Sequence, residues 1–262
     1  MMLDVSYVRV GGYRTRFLVK GEGKPVVLIH GLGGSIESWK NNLEPLAVRF
    51  KVYAFDMLGF GMADKPKIQY RIDVFADFLG GFMDAMGLDR ACLVGNSLGG
   101  LIAAWFSVHH QDRVEKLVLE DAAGLEVGAR YTIMSFMGEW WNPESLKKFY
   151  QFVYYDPSKV DIETLKLRLE MFSGEDAKHA YKSTLNMPRD WETLPEKLKT
   201  FEKPTLIIWG AQDRLIPVEN AHKFHSLIRN SKLVILDEVG HVPHAEKPEE
   251  FNRVVIEFLG DC

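Results

Sequence analysis

The chain has 262 residues, of which 47% are hydrophobic and 26% charged, with a formal net charge of −4. These values predict one large globular domain, with or without an insertion, and the absence of a basic tract argues against a nucleic-acid partner. Cys92 and Cys262 are far apart in sequence, so no disulfide framework is expected. Residues 1–10 lack the apolar run of a signal peptide, and no segment has the length of a membrane span, so we expect a cytoplasmic protein with no membrane partner.

Short β-branched and apolar runs alternate with helical patterns along most of the chain. Strands are predicted at residues 8–10, 13–20, 26–29, 52–56, 91–94, 116–120, 205–209 and 232–236, and helices at 72–86, 98–110, 218–228 and after Pro248. The alternation predicts an α/β fold with a mostly parallel sheet covered by helices on both faces. The first two strands flank Gly11-Gly12 and predict a hairpin that adds an antiparallel edge.

The alternation stops between residues 122 and 203. This stretch is rich in aromatic residues and methionine, reads as several helices and contains no convincing strand. We therefore predict a helical cap of residues 122–203, inserted after the strand at 116–120. The core domain then comprises residues 1–121 and 204–262.

A Gly-Asn-Ser-Leu-Gly pentapeptide at residues 95–99 joins a predicted strand to a predicted helix. Such a turn presents the serine hydroxyl at the carboxyl end of the strands, where ligands enter α/β sheets. Glycines flank the serine because larger side chains would collide with the sheet and the helix. Ser97 is therefore predicted to be a nucleophile that forms an acyl-enzyme.

A serine nucleophile needs a general base, and that base needs an acid that orients it. Among the eight histidines, His241 lies in a loop just beyond a strand end, on the same rim of the sheet as Ser97. Asp213 follows the strand at 205–209 and is the predicted acid. Asp121 directly follows another strand and is the alternative acid.

The glycine-rich loop at residues 30–34 follows the third predicted strand. Its Leu32 amide, together with the amide of Leu98 at the start of a helix, is predicted to form an oxyanion hole, with the Gly33 amide as the alternative to Leu32. His30 is predicted to bond within the loop. No Gly-Lys-Ser/Thr follows, so phosphate binding is not indicated, and no metal ligand spacing or cofactor motif is present.

Together these segments resemble the α/β-hydrolase superfamily over nearly the whole chain. The segments that carry the resemblance are residues 30–34, 56–61, 95–100, 209–213 and 240–241. The resemblance implies the α/β-hydrolase fold, and the chain order Ser97, Asp213, His241 is the order stated for catalytic triads on that fold.

Within the superfamily, the resemblance favours a serine carboxylesterase. Members of the fold that form alkyl-enzyme esters have aspartate as the nucleophile in the strand-to-helix turn, called the elbow. This chain has Ser97 at that position. An apolar cleft under the cap predicts small esters with short to medium acyl chains as substrates. The candidate substrate-binding residues are Gly31, Gly33, Asn96, Trp140 and Arg168.

Three alternatives stay open. The hydrolases of carbon–carbon bonds in meta-cleavage products resemble the chain at Asn96, and Arg168 could match their carboxylate-binding arginine. They differ after the catalytic histidine, where they usually have tryptophan and this chain has Val242. Thioesters would react by the same route as esters. A receptor that binds a small molecule and keeps its triad without turnover is the non-enzyme alternative, and the sequence leaves the oligomeric state open.

Overall fold

A computed structural model describes residues 4–125 and 128–260. Its strands are β1 (Ser6–Val10), β2 (Tyr13–Lys20), β3 (Pro25–Ile29), β4 (Lys51–Phe55), β5 (Ala91–Asn96), β6 (Val114–Glu120), β7 (Thr205–Gly210) and β8 (Ser231–Leu236). They form one sheet in the order β1-β2-β4-β3-β5-β6-β7-β8. The β1–β2 and β2–β4 pairs are antiparallel and the others parallel, which confirms the predicted sheet and its antiparallel edge.

The helices lie between and after these strands. They are α1 (Leu43–Ala47), α2 (Ile72–Ala85), α3 (Leu98–His109), α4 (Ala129–Met137), α5 (Pro143–Val153), α6 (Ile162–Met171), α7 (Glu175–Leu185), α8 (Leu194–Leu198), α9 (Glu219–Leu227), α10 (Pro243–Glu246) and α11 (Pro248–Gly260). Two of the short ones, α1 and α10, were not predicted, since five and four residues are too few to show a helical period.

The two faces of the sheet bury separate apolar layers. Along β5, Leu93 packs into the layer that contains α2 and α3, whereas Cys92 and Val94 pack into the layer that contains α1 and α11. This alternation is the two-residue period of a strand. Because both faces are covered, β3 is apolar throughout, and the middle residues of β5 and β7 are apolar as well.

The segment between β6 and β7 carries α4 to α8, and its described residues include no strand. Its apolar residues, including Met137 and Leu165, join the same buried layer as α2 and α3. This arrangement fits a cap over one face of the sheet, while the exact domain boundaries stay a prediction. Cys262 lies outside the described residues, so the expected absence of a disulfide also stays a prediction. Among the described helices, none combines the length and hydropathy needed to cross a bilayer.

Candidate active site

Ser97 lies in a sharp turn between β5 and α3. Its backbone has φ 54° and ψ −117°, in a region that side-chain-bearing residues rarely occupy. A Cβ added to Gly95 would lie 2.3 Å from the Gly99 carbonyl oxygen, and one added to Gly99 would lie 2.2 Å from the Ile29 carbonyl oxygen. The flanking glycines are therefore required by the close approach of backbone, as the sequence pattern predicted.

Backbone hydrogen bonds hold this turn in place. The Ser97 amide donates to the Glu120 carbonyl oxygen at 2.9 Å, which ties the turn to the end of β6. The Ser97 carbonyl oxygen accepts from the amides of Leu101 and Ala123, both at 3.1 Å. Such bonds stabilise a backbone conformation that would otherwise be costly.

His241 and Asp213 form a buried pair. The His241 Nδ1–H donates to Asp213 Oδ2 at 2.8 Å, while Asp213 Oδ1 accepts from the amides of Leu215 and Ile216 at 2.8 and 3.0 Å. Burial alone would lower the pKa of His241, but the negative charge of Asp213 and its hydrogen bond outweigh burial and raise it. The carboxylate thus fixes the tautomer that leaves Nε2 free to accept a proton.

The loop that carries His241 is fastened from two sides. The Asn96 Nδ2–H donates to the His241 carbonyl oxygen at 3.2 Å, and the His241 amide donates to the Val153 carbonyl oxygen at 2.8 Å. The carboxylate of Glu246 accepts from the amides of Gly240 at 2.9 Å and Tyr155 at 2.7 Å. Hydrogen bonds therefore join the end of α5 to the histidine loop.

A second buried histidine–carboxylate pair lies next to the first. The backbone amide and the Nδ1–H of His244 both donate to Glu120 Oε1 at 2.8 Å, and the His244 ring packs 4.5 Å from the Trp39 ring, measured between centroids. The sequence alone does not predict this pair. Its one signal in the sequence is a charged residue, Glu120, in the otherwise apolar second half of β6.

The glycine-rich loop after β3 lies against the elbow. The Gly34 amide donates to the Gly31 carbonyl oxygen at 2.9 Å, and a Cβ on Gly31 would lie 3.2 Å from the Ser97 Cβ. Leu32 borders the same cavities as Ser97, and Leu98 is the first residue of α3, where an amide has no partner within the helix. Both predicted oxyanion donors are thus close to Ser97, and their role stays a prediction.

His30 belongs to the structure of this loop. It is buried, its Nδ1–H donates to the Gly31 carbonyl oxygen at 2.8 Å, and its Nε2 accepts from the Met57 amide at 3.0 Å. Burial lowers the pKa of His30, so the ring is neutral. These contacts agree with the bonding within the loop that the sequence predicted.

Two cavities meet at Ser97. The first, about 170 Å³, is bordered by polar groups that include Asn96, His241 and Arg168. The second, about 230 Å³, is bordered mainly by apolar side chains such as Leu101 and Trp191. The residues that border both cavities are Leu32, Ser97, Ile133 and Leu215. A ligand carbonyl at Ser97 would therefore have a polar environment on one side and an apolar one on the other.

Arg168 projects from α6 into the polar cavity and is only 9% exposed. Its guanidinium donates to the Gly33 carbonyl oxygen and, at 3.1 Å, to Ser38 Oγ, and it lies over the Tyr150 ring. Within residues 4–125 and 128–260, its Nε has no hydrogen-bond acceptor and no carboxylate forms an ion pair with it. The hydrogen-bonding partners of this buried cation, the Gly33 carbonyl oxygen and Ser38 Oγ, are both neutral.

Two other candidate substrate-binding residues lie elsewhere. Trp140 packs against the rings of Phe172 and Tyr181, with centroid distances of 6.1 and 5.7 Å. Neither Trp140 nor Gly33 is among the described residues that border the two cavities. The geometry therefore gives no support to direct substrate contact by either residue, although the Gly33 carbonyl oxygen accepts from Arg168.

Asp121, the alternative acid, is buried beside the pair without bonding to the histidine ring. One oxygen of Asp121, one of Asp213 and one ring nitrogen of His241 lie within 4.8 Å of one another. The His241 Nδ1–H donates to Asp213 Oδ2, which favours Asp213 as the acid. Three such ligand atoms could also hold a metal ion, so the absence of a metal stays a prediction.

Comparisons with known proteins agree with this geometry. Residues 24–248 match the family described as alpha/beta hydrolase fold. The chain belongs to the α/β-hydrolase family. It is 35% identical over 260 residues to 2-hydroxy-6-oxo-6-(2'-aminophenyl)hexa-2,4-dienoic acid hydrolase of Metapseudomonas resinovorans, covering 97% of this chain and 90% of that protein. It is 32% identical to 2-hydroxy-6-oxo-2,4-heptadienoate hydrolase of Pseudomonas putida, covering 96% and 95%.

Solved structures of α/β-hydrolases give the same result. A meta-cleavage product hydrolase from Pseudomonas fluorescens superposes with a TM-score of 0.90 at 30% identity, over 98% of this chain and 97% of the other. A serine hydrolase involved in carbazole degradation superposes with a TM-score of 0.89 at 34% identity, over 99% of both chains. The chain is thus a hydrolase that resembles meta-cleavage product hydrolases along its whole length.

Proposed function

We propose that this α/β-hydrolase cleaves a carbon–carbon bond in 2-hydroxy-6-oxo-dienoic acids, the products of meta-cleavage of aromatic rings. Hydrolysis of a carbon–carbon bond, one of the alternatives that the sequence left open, is thus preferred over carboxylesterase activity. The named relatives at 35% and 32% identity act on acids of this class, which supports the proposal. A cytoplasmic location and a soluble small-molecule substrate are consistent with it and stay proposals.

The observation that carries the proposal is the position of Arg168. A buried guanidinium without a carboxylate partner is costly unless an anion joins it, and a carboxylate accepts well from arginine. Arg168 borders the polar cavity together with Ser97. A substrate carboxylate placed near Arg168 would leave the dienoic chain running towards Ser97.

The apolar cavity accounts for the other end of such a substrate. In a 2-hydroxy-6-oxo-dienoic acid, the carboxylate and the 6-substituent lie on opposite sides of the ketone. An apolar 6-substituent, such as an aryl or alkyl group, suits the side chains of Leu101, Leu185 and Trp191. The ketone carbon would then lie at Ser97, where the two cavities meet.

The candidate triad can perform this hydrolysis. His241 accepts the proton of the Ser97 hydroxyl as its oxygen adds to the ketone carbon, and the amides of Leu32 and Leu98 stabilise the resulting oxyanion. The bond between the ketone carbon and the dienoic chain breaks, and that chain takes the proton held by His241 and leaves as 2-hydroxypenta-2,4-dienoate. Water then adds to the acyl group on Ser97, and His241 accepts its proton before the carboxylic acid is released.

The leaving carbon explains why this substrate class needs a carboxylate-bearing dienol. A carbon leaving group must accept an electron pair, and the conjugated 2-hydroxydienoate can accept it once its enol has become a 2-oxo acid. A simple ester needs no such electron acceptor because an alkoxide leaves. Asp213 remains ionised throughout and stabilises the imidazolium of His241.

The experiment replaces Arg168 with methionine, which keeps much of the side-chain length and removes the charge. Turnover of 2-hydroxy-6-oxo-6-phenylhexa-2,4-dienoate is followed by loss of its dienol absorbance, beside hydrolysis of neutral p-nitrophenyl acetate. Charged hydrogen bonds contribute about 1.5–3 kcal/mol each, so kcat/KM for the dienoate should fall about 10- to 100-fold. Hydrolysis of the ester should change little, because it has no carboxylate.

The matched control is Arg253→Met on α11, whose side chain is 65% exposed and is not among the residues that border the two cavities. It should behave as wild type on both substrates. Equal losses on the dienoate and the ester in Arg168→Met would indicate a folding defect and no carboxylate contact. Undiminished dienoate turnover in that variant would contradict the proposed role of Arg168.

A further inference from the structure

Asp121 is a buried carboxyl group behind the candidate triad for which the mechanism above has no use. It follows β6 with a left-handed backbone, φ 41°, and is fully buried. Its amide donates to the Ile208 carbonyl oxygen at 3.1 Å, and its Oδ1 accepts from the Gly210 amide at 3.1 Å. These bonds fix the carboxyl group against the end of β7, close to the turn that carries Asp213.

The other oxygen of Asp121 needs a partner. Among the residues that the structure describes, no donor reaches Asp121 Oδ2, although this atom is inaccessible to water. One oxygen of the Asp213 carboxyl group lies within 4.8 Å of an oxygen of Asp121. Two ionised carboxylates cannot occupy such a buried site together, so one of the two must hold a proton.

The surroundings decide which carboxyl group is protonated. Asp213 accepts from two backbone amides and from the His241 Nδ1–H, three donors that all favour its ionised form. Asp121 accepts from one amide only. Burial, with the negative charges of Asp213 and Glu120, raises the pKa of Asp121 well above its ordinary value. The proton therefore resides on Asp121 Oδ2, the atom that lacks a donor.

We propose that Asp121 is a positioning residue, a neutral carboxylic acid whose O–H donates to the Asp213 carboxylate and holds it in line with His241. This inference rests on the assignment of Ser97, His241 and Asp213 in the proposed function. A neutral donor fixes the Asp213 carboxylate and disperses its charge. It does so without placing a second negative charge beside the imidazolium that forms during catalysis.

The test compares Asp121→Asn with Asp121→Gly. Asparagine keeps a donor and tolerates a left-handed backbone, and glycine removes the side chain while accepting φ 41° without strain. The readout is the rate at which a fluorophosphonate labels Ser97, measured from pH 5 to 9. This rate reports on Ser97 and His241 without a dienoate, so it is independent of whether the proposed substrate is correct.

Asp121→Asn should label at close to the wild-type rate, with the same midpoint on the acid side of the pH profile. Asp121→Gly should label about tenfold more slowly, the usual scale for a lost hydrogen bond to a charged group. Its midpoint should move to higher pH, because an undispersed Asp213 charge favours protonated His241. The other acids that act on His241, Glu120 and Glu246, are unchanged in both variants.

Two outcomes would overturn the proposal. A midpoint that falls to lower pH in Asp121→Asn would mean that Asp121 is ionised in the wild type, since the variant would then have lost a negative charge. A wild-type rate and midpoint in Asp121→Gly would mean that Asp121 has no influence on the triad. The control is Asp77→Asn, an exposed carboxylate on α2 that should leave the profile unchanged.

Discussion

His241 Nδ1 lies 2.8 Å from Asp213 Oδ2, and both side chains are buried. Asp213→Asn would leave the shape of the site intact but would favour the tautomer of His241 that cannot accept the Ser97 proton. We expect turnover of dienoate and ester alike to fall by about 10⁴-fold with little change in KM. Steady-state kinetics will measure this, with Asp77→Asn as the control. A loss of this size in Asp121→Asn, with Asp213→Asn active, would assign the acid to Asp121.

The pH dependence follows from the same pair. The pKa of His241 is raised above its ordinary 6.5, because Asp213 outweighs the effect of burial. Since His241 must be neutral to accept a proton, kcat/KM should rise with pH and reach half its plateau above pH 6.5. A raised folded-state pKa also stabilises the protein at pH values below 6.5, and this contribution disappears as the pH rises through the raised value. A half-plateau below pH 6.5 would contradict this account.

The close packing of backbone around Ser97 predicts that a side chain larger than hydrogen at Gly99 destabilises the turn. In Gly99→Ala the new methyl group would lie 2.2 Å from the Ile29 carbonyl oxygen, where the neighbour is backbone and cannot turn away. Overpacking of this kind costs about 1–3 kcal/mol or more, so Tm should fall by several degrees and activity should drop as Ser97 shifts. Gly260→Ala is the matched control, because among the described residues an added methyl group there meets only Arg49, at 3.6 Å. An unchanged Tm and rate for Gly99→Ala would show that the turn is less tightly packed.

Glu246 links the histidine loop to the end of α5. Glu246→Gln keeps the size of the side chain but replaces one acceptor oxygen with a donor, which leaves the amide of Gly240 or Tyr155 without a partner. Such a loss costs about 1–3 kcal/mol, and we expect a lower Tm together with slower turnover. Differential scanning calorimetry and kinetics will measure both, with substitution of the exposed Glu249 (Glu249→Gln) as the control. Wild-type Tm and turnover in Glu246→Gln would show that Glu246 is not needed to hold the histidine loop.

The sequence was sufficient to predict the sheet, its hairpin edge and the elbow, because these depend on local period and on glycine spacing around Ser97. It also placed Asp213 and His241 on one rim, since both follow strands of a parallel sheet. The burial of Arg168, by contrast, could not be predicted from the sequence. Its sequence neighbours in α6 are those of an ordinary surface helix, and its burial depends on contacts with Gly33 and Ser38 that are more than 100 residues away.

The position of Trp140 could not be predicted from the sequence either. An aromatic-rich cap indicates an apolar cleft, but the sequence does not indicate which rings face it and which pack among themselves, as Trp140 does against Tyr181. The roles of Glu246 and Glu120 were missed because their partners, including Tyr155 and His244, are distant in the sequence. The choice between ester and carbon–carbon bond depended on the cavity around Arg168 and on the relatives, and neither follows from the triad.

The most direct measurement of the central claim is the ratio of kcat/KM values of the wild-type protein for 2-hydroxy-6-oxo-6-phenylhexa-2,4-dienoate and for p-nitrophenyl acetate, with Ser97→Ala as the blank. A charged hydrogen bond to the substrate carboxylate, at about 1.5–3 kcal/mol, predicts a preference for the dienoate of at least about 10-fold. Benzoate and 2-hydroxypenta-2,4-dienoate should appear in equal amounts. Rapid turnover of the ester without any cleavage of the dienoate would contradict the proposal and favour a carboxylesterase.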